Sequence, residues 1–83
     1  MITLEQERMN ILTQAVEHRE REIMHHQINI DNYRLAIKEI EANHSEDVEL
    51  QKFSAELKSL LSSSIAEQAK EKIMLKVLKA QLE

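Results

Sequence analysis

From Ile2 to His44 a line of residues recurs at a strictly alternating spacing of three and four: Ile2, Glu5, Met9, Leu12, Val16, Arg19, Ile23, His26, Ile30, Tyr33, Ile37, Ile40, His44. A helix turns 3.6 residues per revolution, so this alternation keeps one stripe facing a neighbour along the whole length. No β-strand buries a stripe at that period. The spacing predicts a long helix packed on another helix in coiled-coil fashion, and it specifies no chemistry.

Composition agrees. The chain of 83 residues contains no Gly, Pro or Cys and only two aromatic residues, Tyr33 and Phe53. Tight turns and sheets draw on Gly and Pro, so their absence together with abundant Leu, Ile, Ala, Glu, Gln and Lys predicts an all-α fold. A chain this short is expected to form one domain, 1–83, and buries only about 60% of its unfolded surface. Without cysteine there is no disulfide and no thiolate metal site to reinforce it. Association with a second copy, or with a permanent partner, is the expected remedy.

Thr3 followed by Gln6 reads as a capping box, so the first helix is expected from Leu4 to about Ala42, roughly 58 Å at 1.5 Å per residue. The segment 43–46 is the only candidate turn. Asn43 suits a left-handed helix end, and Ser45 before Glu46 and Asp47 suits an N-cap with an acidic first turn. The second helix then covers about 46–82. Its early stripe reads Leu50, Phe53, Leu57, Leu60 and Leu61, and the register drifts at Ser62, Ser63 and Ser64. The competing architecture is one continuous helix, a rod of about 120 Å for ~80 residues.

Folding the chain near residue 45 sets Ile40 near Leu50, Tyr33 near Leu57, His26 near Ser64 and Arg19 near Glu71. The hairpin core is therefore expected at Ile23, Ile30, Ile37, Ile40, Leu50, Phe53, Leu57 and Leu61. The middle of the stripe is polar, which in paired helices fixes register at some cost in stability. Apolar residues also lie off the stripe. Met24, Ile28 and Leu35 on the first helix, with Ile73, Leu75, Val77 and Leu78 on the second, are expected at an interface with a second copy or another protein. Two antiparallel hairpins would then form a four-helix bundle, a homodimer whose two copies run either parallel or antiparallel to each other.

Chemistry is sparse. His18, Glu22, His25 and His26 have helical spacing compatible with a metal site. A di-metal bundle normally needs Glu-x-x-His pairs on facing helices, and the second helix has no His and offers only Glu67 and Glu71, so no metal or cofactor is expected and a metal-binding bundle stands as the alternative reading. There is no cysteine nucleophile, no nucleophile turn and no Gly-rich phosphate loop, so no enzymatic activity is expected. Lys70, Lys72, Lys76 and Lys79 make the C-terminal stretch locally basic. The formal net charge of −4 nevertheless disfavours nucleic acid as a partner, which leaves a nucleic-acid-associated dimer using these lysines as a further alternative. No stretch approaches the ~20 apolar residues of a membrane span. The opening MITLEQERMN lacks an apolar core, so no secretory signal is expected and the cytoplasm is the expected compartment.

The segments HREREIMHHQINIDNYRLAI (His18 to Ile37) and IAEQAKEKIMLKVL (Ile65 to Leu78) resemble the small, Gly-poor helical proteins of the early regions of lambda-like temperate bacteriophages. The resemblance covers over a third of the chain and contains no functional motif, so no site residue follows from it. It implies a regulatory or accessory protein that works in the host cytoplasm by binding other proteins during phage development.

Overall fold

The computed structural model describes residues 1–83 as two helices, α1 (Leu4–Asn43) and α2 (Val48–Leu82), packed against each other with no strand. They form a hairpin 67 Å long and 18 × 15 Å across, so the continuous-helix architecture is excluded.

Each helix end has a local cause. Thr3 Oγ1 accepts the Gln6 amide at 3.1 Å while Gln6 Oε1 accepts the Thr3 amide at 2.9 Å, the reciprocal capping box. The turn differs from expectation. α1 continues through Asn43, and no residue of the chain has a positive φ. The cap of α2 is Asp47, not Ser45: its carboxylate accepts the Leu50 amide at 3.0 Å. An ionised cap neutralises the helix dipole as well as an orphan N–H, an advantage that a serine hydroxyl lacks. The His44 carbonyl closes the turn by accepting the Asp47 amide at 3.1 Å and Gln51 Nε2 at 2.9 Å.

The buried stripe of α1 is the expected one: Leu12, Val16, Ile30, Ile37 and Ile40 are buried, and Arg19, Ile23, His26 and Tyr33 are half-buried between them. The stripe of α2 is not. Buried and half-buried positions run Leu50, Ser54, Leu57, Leu61, Ser64, Gln68, Glu71, Leu75, Leu78, Leu82, with spacings of four and three throughout. The register does not drift at the serines. It runs straight through polar residues, and Phe53 and Leu60 fall outside it, 45% and 48% exposed. Phe53 is therefore not a core residue. Ile37, Ile40 and Leu57 form the densest cluster, near the turn, with Tyr33, Ala36, Leu50 and Leu61 packed around them.

Polar contacts cross between the helices along the rod. Lys58 Nζ meets Glu41 Oε1 at 2.7 Å near the turn, and Arg8 Nη2 donates to Gln81 Oε1 at 3.1 Å near the chain ends. In the middle, Arg19 Nη1 bridges both carboxylate oxygens of Glu71 at 2.9 and 3.1 Å, the pairing that the folded register predicts. Buried Gln68 donates from Nε2 to the Ile23 carbonyl at 3.2 Å and to Gln27 Oε1 at 2.9 Å. A one-heptad slip of α2 would strand these groups, so the polar middle specifies register.

Candidate interaction surface

Six hydrophobic residues are buried, whereas fifteen large hydrophobic residues are exposed. A side chain can satisfy one neighbouring helix only if it lies on the facing stripe. The others lie on flanks that the hairpin leaves open.

Of the residues assigned to an interface by sequence, Met24, Ile28, Leu35, Ile73 and Val77 are exposed, by 50 to 65%. Leu75 and Leu78 are half-buried and continue the inward stripe of α2, so they belong to the hairpin's own contact. Leu4, Ile11, Phe53, Leu60, Ile65 and Met74 add exposed apolar surface. Met24, Ile28 and Leu35 lie on the side of α1 turned away from α2. Phe53 and Leu60, seven apart, and Met74, fourteen further on past Glu67, share one flank of α2, a flank that is defined only once the inward stripe is fixed at Ser54 rather than Phe53.

The histidine-rich segment is dispersed by the same geometry. His25 Nδ1 stands 3.8 Å from Glu22 Oε1, His18 is exposed, and His26 is half-buried on the inward stripe. No three His, Asp or Glu side chains converge on a point that would hold a metal ion. Glu67, on α2, pairs instead with Lys70 at 2.9 Å. The Lys70 ammonium, as hydrogen-bond donor and as charge, holds the Glu67 carboxyl below the ordinary glutamate range, with a smaller pull from His26.

Lys72, Lys76 and Lys79 line an open groove of about 530 Å³ on α2, with Leu75 and Ala80 as its apolar part and Glu83 at its end. None of these three lysines takes part in an ion pair. Their spacing of four and three was legible as a basic C-terminal stretch. The apolar strip between them was not, because Leu75 read as an outward residue.

Neither helix is long and apolar enough to cross a membrane. No protein-family model, curated protein or solved structure matches the chain. The hairpin and its open flanks therefore carry the functional argument by themselves.

Proposed function

We propose that this chain is a non-enzymatic protein–protein interaction module that works as a homodimer, two hairpins closing into a four-helix bundle. One observation supports the reading above the rest: only eight of 83 residues are buried, while large apolar side chains line the outside along the full length. Contiguous exposed apolar surface marks protein contact sites. Burying one Leu, Ile or Phe is worth roughly 1.5–3 kcal/mol, so covering a few of these side chains rivals what the buried core supplies. The role that suits such a module is regulatory or accessory, acting through a further protein partner in the cytoplasm of the host cell.

Sedimentation equilibrium across micromolar concentrations tests the dimer. The expected mass is twice the 9.7 kDa of one chain. The melting temperature is expected to climb with protein concentration, since association stabilises by mass action. A monomer whose melting temperature is high and independent of concentration would end this reading.

A further inference from the structure

The two ends of the hairpin differ in charge. Between Glu39 and Gln51, around the turn, stand five carboxylates: Glu41 and Glu49 pair with Lys58 and Lys52, while Glu39, Glu46 and Asp47 take part in no ion pair. Toward the other end lies the groove of Lys72, Lys76 and Lys79, whose ammonium groups have no carboxylate partner. Within one chain these patches cannot neutralise each other. They lie toward opposite ends of a rod 67 Å long, and screening at physiological salt sets in over about 8 Å.

We infer that the second copy lies antiparallel alongside the first, each turn at the far end from the other, with the acidic turn of one copy against the lysine groove of its partner. This rests on the homodimer proposed above and adds its arrangement. Two hairpins overlapping along their length present a face of on the order of 1,000 Å² each, enough for the roughly 800 Å² per partner of a stable interface. A parallel arrangement offers the same area, so area does not choose between the two. Charge does. The parallel dimer doubles the carboxylates at one end and leaves both groups of lysines together at the other. The antiparallel dimer brings each acidic turn within screening range of three free lysines, twice by symmetry. Apolar matching points the same way. Val48, 66% exposed, stands in sequence between Asp47 and Glu49, and the groove offers Ala80 and the open edge of half-buried Leu75 beside its lysines.

The chain has no cysteine, so an introduced one is a unique label. In Ser45→Cys dimers carrying a spin label, the two labels should lie on the order of the hairpin length apart, and oxidation of the unlabelled variant should give no disulfide. A mixture of Val48→Cys and Lys76→Cys chains should oxidise to the mixed disulfide in preference to either symmetric one. Independently, Glu46→Lys with Glu49→Lys should weaken dimerisation at least tenfold at low salt, as should Lys72→Glu with Lys76→Glu and Lys79→Glu. Combining both sets should recover most of the loss. Dimers with adjacent Ser45→Cys labels, a ready Ser45→Cys disulfide, or no recovery in the combined variant would overturn the arrangement while leaving the homodimer standing. A chain that stays monomeric would overturn both and leave the groove open to an acidic segment of another protein.

Discussion

Ser54 is 3% exposed, faces α1 from a position that a hydrophobic residue would ordinarily hold, and its Oγ has no hydrogen-bond partner. An unsatisfied buried hydroxyl costs about 1–3 kcal/mol, whereas its methyl counterpart costs nothing for desolvation. Ser54→Ala is therefore expected to stabilise the hairpin by about 1 kcal/mol, read as a raised urea midpoint at unchanged slope. Glu67 gives a second residue-scale expectation, of opposite character. Its carboxyl titrates below the ordinary range because Lys70 favours the charged form, so its contribution to stability is present above the unfolded pKa and fades as pH falls through the lower folded one. The side chain is solvent-accessible, so the effect is small and salt-sensitive. Carboxyl-detected NMR titration at low ionic strength should find Glu67 below the ordinary glutamate range, and Lys70→Gln or added salt should bring it back into that range.

At the scale of the helix, what could be read from residues was what periodicity encodes. The stripe of α1, its capping box and the Arg19–Glu71 pairing all follow from spacing, because a helix held to one neighbour must repeat every three and four residues. The stripe of α2 was misread where hydrophobicity and geometry part company. Following only apolar residues leads from Leu50 to Phe53, but the alternation continues through Ser54, Ser64, Gln68 and Glu71, whose small size or hydrogen bonds permit burial. Leu75 and Leu78 face inward for the same reason, although hydrophobicity alone places them at an interface. The turn was misplaced for a related reason: Ser45 and Asp47 both cap helices, and only the backbone path decides which carbonyl and amide groups need closing. Since Asp47 is the cap in use, Asp47→Ala should destabilise the protein by about 1 kcal/mol in chemical denaturation, and Ser45→Ala should change little. Equal losses from both substitutions would assign the cap wrongly.

The whole molecule is a narrow rod with its densest packing near the turn and polar contacts through its middle. That distribution explains why fold class was accessible from the chain alone and the surface less so: which flank faces outward depends on register, and register depends on polar residues whose burial no hydropathy pattern announces. It also bears on the proposed association, since the hairpin leaves fifteen large hydrophobic side chains exposed on its flanks. One further property follows from the Arg8–Gln81 hydrogen bond, which holds the first and last turns of the chain side by side. The two chain ends therefore stand close enough to be joined, and the order of the helices along the chain is expected not to matter to how they fit. A circular permutant that begins at Glu46, joins Glu83 to Met1 through a short flexible tether and ends at Ser45 should recover the same far-ultraviolet dichroism. It should lose only the closure supplied by the His44 carbonyl, and a permutant that fails to fold would show that the turn nucleates the hairpin rather than merely connecting it.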